Sequence, residues 1–406
     1  MLYKSCRSFS SFLFFVISII CLGCYYPCYY NQFLISENFY GPIKGFSLCI
    51  FWFVWLILFK RKIIKFPNGY FTVGFIIIEL YLFLRTIIYN EISSFSYIRT
   101  ILFSYILVVL CTNTFVSKHY LKMLTNVMIV MFVSILLGLI LYVTVGLKMY
   151  GMSVLFADEA INILNFGFFF VKWGDTWSSD FVRPSGWFDE PGSFANVVLL
   201  FLIYNRVRIR SKKIEIILLL GGCLSLSFAY FVILTLYIMF FLLQRKYIKY
   251  IIVALFSIAL FYVYEPTEGF GGYVWNKTFG RVEDISRNED SSRNFNEAFA
   301  AFQDFFITGE SNEVIKQKYP DATKETIWFM LANQGLFGSI FYYFFIFLII
   351  LKLGKENKMR REYWLLLFLF AINLLQRPVY LFPLYLLLIY YTWFDNSEKY
   401  CVESKK

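Results

Sequence analysis

The chain has 406 residues, of which 59% are hydrophobic, 22% aromatic and only 16% charged. Soluble domains average about 45–50% apolar and about 25% charged residues, so this composition excludes an ordinary soluble enzyme. Apolar runs recur along the whole length. We therefore predict an all-α fold, a polytopic helical membrane protein whose residues 1–406 form a single membrane domain.

The net charge of +11 does not indicate a nucleic-acid partner, because the basic residues are grouped in short runs between apolar segments. Lys and Arg concentrate in this way in the cytoplasmic loops of membrane proteins. These basic runs are 60–65, 206–213, 245–249 and 352–361.

The apolar segments give the predicted spans in chain order. The first run resembles a signal peptide, but Tyr25, Tyr26 and Pro27 follow it in place of small residues, so we expect an uncleaved span. The segments are 9–24, 46–59, 70–89, 97–116, 123–146, 193–205, 214–243, 248–264, 326–351, 363–375 and 379–394.

The segment 214–243 is too long for one crossing, since 30 residues make about 45 Å of helix against a hydrocarbon core of about 30 Å. Basic runs flank it on both sides, so both of its ends are predicted to be cytoplasmic. A hairpin broken near Gly221-Gly222 and Ser225/Ser227 satisfies this rule. The prediction is then about twelve spans with both termini in the cytoplasm.

Two long polar stretches, 147–192 and 265–325, fall on the outer side in this topology and hold 18 of the 27 acidic residues. Within the first stretch, 159–172 is apolar but too short to span, and we predict an amphipathic helix at the outer interface. Within the second, we predict a charged helix over 291–306.

The sequence offers little for metal or cofactor chemistry. Its single histidine, His119, lies in a predicted cytoplasmic loop, and no paired-histidine or Asp-x-Asp motif occurs. The scattered cysteines are absent from both long polar stretches, so we expect no metal site, no disulfide and no cofactor. Glu79 and Arg85 are the ionisable residues clearly inside an apolar segment, and their spacing puts them on different faces of the helix.

Two constellations of polar residues on the outer side are candidates for chemistry. The first runs from Arg183 to Phe194, with Asp189 and Glu190 directly before Pro191; the alternative is that these acids only cap the following helix. The second runs from Ser291 to Ser311, where Arg293 and Glu297 share a helix face; the alternative there is a solvated charged helix.

Taken together, these stretches resemble the bacterial O-antigen polymerase family, within the wider group of O-antigen polymerases and ligases. The resemblance is carried by Arg-x-x-Gly-x-Phe-x-Glu-Pro-Gly-like residues at 183–192, by Ser291, Arg293 and the downstream Gly309, and by Leu331-Ala-Asn-Gln-Gly-Leu-Phe-Gly338. The order, spacing and outer placement match from about residue 70 to the end.

The resemblance implies a membrane glycosyltransferase. Its substrates would be undecaprenyl-diphosphate-linked oligosaccharide repeat units, polymerised at the periplasmic face of the inner membrane, with membrane lipids and a chain-length regulator as further partners. Without a metal, arginines are suited to neutralise the departing diphosphate, and a carboxylate is suited to act as general base. We predict catalytic roles for Arg183, Glu190, Arg293 and Glu297, and substrate binding by Asp189, Arg281, Arg287, Lys324, Glu325 and Arg377.

Two other functions stay open at this point. Ligases of this group, and some of its polymerases, carry a His or His-Asn before the Gly-x-x-Gly, where this chain has Lys324-Glu325-Thr326. This difference leaves the identity of the general base open and favours a polymerase over a ligase. A flippase for lipid-linked oligosaccharides, or another transporter, would need a polar path through its spans. Glu79 and Arg85 alone provide little of one.

Overall fold

A computed structural model describes the architecture of the chain for part of its length. The described residues are 67–89, 98, 101–102, 104–105, 108, 125–126, 128–138, 140, 144, 150–156, 159–166, 169–172, 183–186, 188, 191–225, 227–242, 256, 260, 262–266, 272, 275, 295–322, 327–356, 360–376, 381 and 383–395.

Most of the described elements are helices, and three of them continue or end in a π-helical turn. The helices are α1 (Gly69–Tyr89), α2 (Met128–Gly138), α3 (Pro191–Tyr204, continued by Asn205–Ile209), α4 (Lys212–Cys223), α5 (Phe228–Tyr237, continued by Ile238–Leu242), α6 (Phe295–Asp304), α7 (Asn312–Lys318), α8 (Ile327–Tyr342), α9 (Phe344–Lys355), α10 (Arg361–Gln376) and α11 (Pro383–Ile389, continued by Tyr390–Phe394).

The helices indicate a membrane protein. Within the described part of the chain, Gly69–Tyr89, Pro191–Ile209 and Ile327–Lys355 are long and apolar enough to cross a bilayer. On α1, large apolar side chains that face away from the protein form a stripe along the helix, as a surface in contact with lipid requires. These exposed residues are Val73, Ile76, Leu80, Phe83, Leu84, Ile87 and Ile88.

Helix α3 lies at the centre of the described bundle. Every residue from Ser193 to Tyr204 is buried, as expected of a helix that is apolar on all sides. It packs against α4, α5, α10 and α11. The contact with α10 is partly polar, because Asn373 Nδ2 donates to Asn196 Oδ1 at 2.9 Å within the apolar core.

The helix break expected within 214–243 is confirmed. Helix α4 ends at Cys223 and α5 begins at Phe228, and the turn between them is closed by Ser225 Oγ, which donates to Gly222 O at 2.7 Å. The two helices fold back on each other, since Tyr230 Oη donates to Leu219 O at 2.8 Å. With 12 residues, α4 is only about 18 Å long, so it is shorter than the hydrocarbon core.

The structure departs from the sequence expectation between 150 and 186. The amphipathic helix predicted over 159–172 is wrong, because these residues form strands. Alternating and β-branched apolar residues suit a strand as well as an interfacial helix, and pairing between neighbouring segments decides the outcome. The antiparallel sheet has the order β1 (Tyr150–Phe156), β2 (Glu159–Phe166), β3 (Phe169–Lys172) and β4 (Arg183–Gly186).

The basic runs 206–213 and 352–361 lie at the same end of the bundle. Arg206 Nε donates to Glu362 Oε1 at 3.0 Å, and Arg208 Nε donates to Thr392 O at 3.1 Å. Lys352 Nζ donates to Trp393 O at 2.9 Å. These contacts bring the ends of α3, α9, α10 and α11 together, so the described residues of the two basic runs lie at one end of the bundle, which is compatible with their predicted location in cytoplasmic loops.

Candidate functional site at a break in helix α8

The structure locates only two of the residues predicted to form the site. Arg183 begins strand β4, which pairs with β3. Glu297 lies in the first turn of α6, and its Oε2 accepts a hydrogen bond of 3.0 Å from Asp321 N. Their catalytic roles stay predictions, as do those of the residues outside the described part: Asp189, Glu190, Arg281, Arg287, Arg293, Lys324, Glu325 and Arg377.

A different cluster forms around a break in helix α8. Gly335 interrupts this helix with φ 65° and ψ 178°, a backbone conformation that glycine adopts without the steric cost of a side chain. A break in a membrane helix frees backbone donors and acceptors that must be satisfied inside the protein.

The turn that follows α6 satisfies the freed groups. Leu336 N donates to Phe306 O at 2.7 Å, and Phe337 N donates to Ile307 O at 3.3 Å. On the other side of the break, Glu310 N donates to Ala332 O at 3.1 Å. The segment 306–310 thus pairs with the interrupted helix through its backbone, and the predicted outer loop becomes part of a transmembrane element.

Two glycines make this close approach possible. Gly309 has φ 74°, and a Cβ atom built on it would overlap the backbone of Asn333 and Gln334. A Cβ atom on Gly335 would overlap the backbone of Gly309 in turn. Gly309 and Gly335 belong to two separate pieces of the family resemblance, and the structure brings them into contact.

Arg85 on α1 joins the two segments. Its side chain is only 6% exposed, and its guanidinium group donates to Asn333 O and, at 2.8 Å, to Glu310 O. The guanidinium carbon also lies 4.8 Å from the ring centroid of Tyr89. Among the described residues no carboxylate forms an ion pair with Arg85, so its charge is stabilised by two carbonyl dipoles, one at the end of the first half of α8 and one in the segment before α7.

Hydroxyl and amide groups extend this network. Tyr81 Oη donates to Gln334 Oε1 at 2.6 Å, and Gln334 Nε2 donates to Asn333 Oδ1 at 2.8 Å. Asn333 Nδ2 donates in turn to Asn312 Oδ1 at 3.1 Å. Tyr89 Oη donates to Gly309 O at 2.9 Å.

The cluster can orient polar groups, and it holds a fixed positive charge at the edge of the bundle. Among the described residues of this network Glu310 alone carries a carboxylate, and its Oε1 accepts from Ser311 N at 2.8 Å. In the described part of the chain, no three His, Cys, Asp or Glu side chains come close enough to hold a metal ion.

The sequence contained signals for this site that the prediction did not combine. Arg85 is a charge within an apolar segment, which by itself marks a residue with a specific partner. Arg85 was expected to lie on a different helix face from Glu79. In the structure Arg85 donates to carbonyl oxygens of the α8 break and of the turn before α7 instead of to the Glu79 carboxylate. Nothing in the spacing of residues 85, 310 and 333 indicates that they meet.

Comparisons with protein-family models, curated proteins and solved structures gave no match to this chain.

Proposed function

We propose that this protein is a membrane glycosyltransferase that polymerises undecaprenyl-diphosphate-linked oligosaccharide repeat units into O-antigen or a related surface polysaccharide. The observation that supports the proposal is the contact between Gly309 and Gly335 beside the buried Arg85. Two motifs of the family resemblance, separated along the chain, form one packed unit at the end of α1 opposite the basic runs.

The proposed topology follows from the charges. The basic end carrying 206–213 and 352–361 faces the cytoplasm of a bacterial inner membrane, and 147–192 and 265–325 face the periplasm. About twelve spans and two cytoplasmic termini complete this arrangement. The break in α8 then lies at the periplasmic side, where lipid-linked repeat units are joined.

The proposed reaction transfers a glycosyl group from the lipid diphosphate to a sugar hydroxyl. The acceptor oxygen bonds to the anomeric carbon, the bond from that carbon to the diphosphate oxygen breaks, and a carboxylate takes the hydroxyl proton. Arg183 and Arg293 neutralise the departing diphosphate, because guanidinium groups bind phosphate with two parallel hydrogen bonds. Glu190 is the proposed base.

Reconstitution in liposomes tests this function. Purified protein is supplied with lipid-linked repeat units, with lipid A core added in a parallel sample, and the products are separated on a gel. A ladder of lengthened chains supports a polymerase. Translocation without lengthening identifies a flippase, and transfer to lipid A core without lengthening identifies a ligase; either result contradicts the proposal.

Variants of the two arginines test the mechanism in the same assay. Arg183→Ala and Arg293→Ala are expected to abolish the ladder, since loss of a charge that stabilises the transition state in a partly dry site costs several kcal/mol, or roughly a hundredfold or more in rate. Arg360→Ala, at an exposed position of the basic end, is the matched control and keeps the ladder. Normal polymer from both loop variants would contradict the mechanism.

A further inference from the structure

The turn between α6 and α7 carries apolar side chains that stay partly exposed, although the ring of Phe306 packs on one side against Phe302 with 5.2 Å between ring centroids. Phe306 is 43% exposed and Ile307 is 57% exposed. Both belong to the stretch 265–325, which its acidic composition assigns to the water outside the membrane. The backbone hydrogen bonds to α8 hold this segment in place. Large exposed apolar side chains in such a segment indicate contact with a protein or with a membrane.

These side chains continue the apolar surface of the neighbouring membrane helices. The hydrogen bonds from Leu336 N to Phe306 O and from Phe337 N to Ile307 O place the turn directly beside the second half of α8. There Leu336 is 46% exposed and Phe337 is 61% exposed. The turn and the outward face of α8 therefore lie side by side, and each presents exposed apolar side chains, although Thr308 in the turn is exposed as well.

Helix α1 extends the same surface on its other side. Tyr89 Oη donates to Thr308 O at 3.2 Å, so the end of α1 lies level with the turn. Ile88, one residue earlier, is 73% exposed. The exposed apolar stripe of α1 thus extends as far along the helix as the turn, and its exposed side chains are apolar up to that level.

Helix lengths place this height at the outer edge of the hydrocarbon core. Lys355 Nζ lies 5.8 Å from the ring centroid of Tyr70, which ties the basic ends of α9 and α1 together. From Tyr70 to Tyr89, and from Lys355 back to Gly335, the chain covers about 30 Å at about 1.5 Å per residue, which is the thickness of the core. The length of α1 and the length of α9 with the second half of α8 therefore both place the turn at the outer edge of the hydrocarbon core.

We propose that the turn 305–308 is inserted into the outer leaflet, with Phe306 and Ile307 in contact with lipid acyl chains. The turn anchors the α6–α7 segment to the membrane surface, and the α8 break and Arg85 lie just inside the hydrocarbon boundary. A ligand that approaches Arg85 past this turn comes sideways through the lipid. The proposal rests on the apolar surface and the helix lengths, and it does not depend on the glycosyltransferase function.

Depth-dependent fluorescence quenching tests the insertion. A fluorescent amino acid is incorporated at position 307 of the full-length protein, which is then reconstituted in phosphatidylcholine nanodiscs. Quenching is measured with phosphatidylcholine that carries a nitroxide on the acyl chain, and separately with iodide in the water. Matched proteins carry the label at 336, on the outward face of α8, and at 317, an exposed polar position on α7.

The label at 307 is expected to be quenched severalfold more strongly by the acyl-chain nitroxide than by iodide, as at 336, whereas the order reverses at 317. A label at 306 repeats the measurement if the first protein is poorly folded. Quenching at 307 and 306 that matches position 317 would overturn the proposal. Because no sugar substrate is involved, this result is independent of the polymerase assay.

Discussion

At the scale of single residues, Arg85 is the side chain whose environment is best defined. It is a buried cation that bonds to two backbone carbonyls from segments more than 20 residues apart, Asn333 and Glu310. Burying a charge is costly unless hydrogen bonds compensate for the lost water. Arg85 therefore holds together two segments whose carbonyl groups would otherwise lack this donor.

Arg85→Gln is expected to lower the free energy of unfolding by roughly 2–5 kcal/mol, because a shorter neutral side chain removes two charge-assisted hydrogen bonds and leaves Asn333 O and Glu310 O with only their neutral donors, Glu310 N and Asn333 Nδ2. The thermal unfolding midpoint of the purified protein in nanodiscs measures the effect. Arg360→Gln, at an exposed position, is the control and is expected to change stability by less than about 0.5 kcal/mol. Equal midpoints for the two variants would show that Arg85 does not hold the segments together.

Glu190 is the second prediction at this scale. If it is the general base, Glu190→Gln preserves shape and lipid-substrate binding but stops elongation in the liposome assay. If the residue only caps α3, the change costs about 1 kcal/mol of local stability and the ladder still forms. A normal ladder would show that Glu190 is not the base, and it would assign that role to Asp189, Glu297 or Glu325 or show that the reaction needs no general base.

At the scale of elements, the feature that matters most is the interruption of α8. The break depends on the positive φ of Gly335, and its packing against Gly309 leaves no room for a Cβ atom on either residue. The matched comparison is Gly354 in α9, where a built Cβ atom has no neighbour within 4 Å. The two positions separate the effect of the close approach from the general effect of replacing a glycine.

Gly335→Ala is expected to destabilise the protein by about 3 kcal/mol or more, since the substitution combines backbone strain with a backbone overlap. Gly354→Ala is expected to leave stability unchanged or to raise it by up to about 1 kcal/mol, because alanine favours a helix interior. The fraction of protein that elutes as a single species after extraction, together with its unfolding midpoint, measures both. A Gly335→Ala protein as stable as Gly354→Ala would refute the close packing.

The α4–α5 hairpin shows what sequence reasoning achieves for an element. Charge on both flanks and a Gly-Gly/Ser-x-Ser stretch located the break between Cys223 and Phe228. The sheet at 150–186 shows the opposite, because a short apolar segment fits a strand or an interfacial helix equally well. Pairing with the neighbouring segments of the chain decides between them, as when β1 and β2 pair from Phe156 opposite Glu159 onward.

At the scale of the whole molecule, the bundle has a basic end and an opposite end that carries the α8 break. The basic runs meet through Arg206, Arg208 and Lys352, and this polarity is the structural basis of the proposed topology. Because α4 and α5 return to the end where they began, the run at 245–249 is expected on the same side as 206–213.

Reporter fusions after Ser211 and after Lys246 test this topology. Both are expected to show activity of a cytoplasmic reporter and none of a periplasmic one, since the hairpin returns the chain to its starting side. A fusion within the stretch 265–325 is the control and is expected to give the reverse pattern. Opposite reporter signals at Ser211 and Lys246 would contradict the prediction that the hairpin returns to the same side of the membrane, and with it the prediction of twelve spans.

The sequence by itself indicated the class of protein and the place where the hairpin breaks, and it predicted which loops are cytoplasmic. These properties depend on local composition and charge, which act through the free energy of transfer into lipid and need no knowledge of distant contacts. The tertiary structure decided the pairing of the strands at 150–186 and the meeting of Arg85, Gly309 and Gly335. These contacts join separate segments, some adjacent in the chain and others, such as Arg85 and Glu310, 225 residues apart. They depend on how strands pair and helices pack, and the local pattern of residues does not encode that packing.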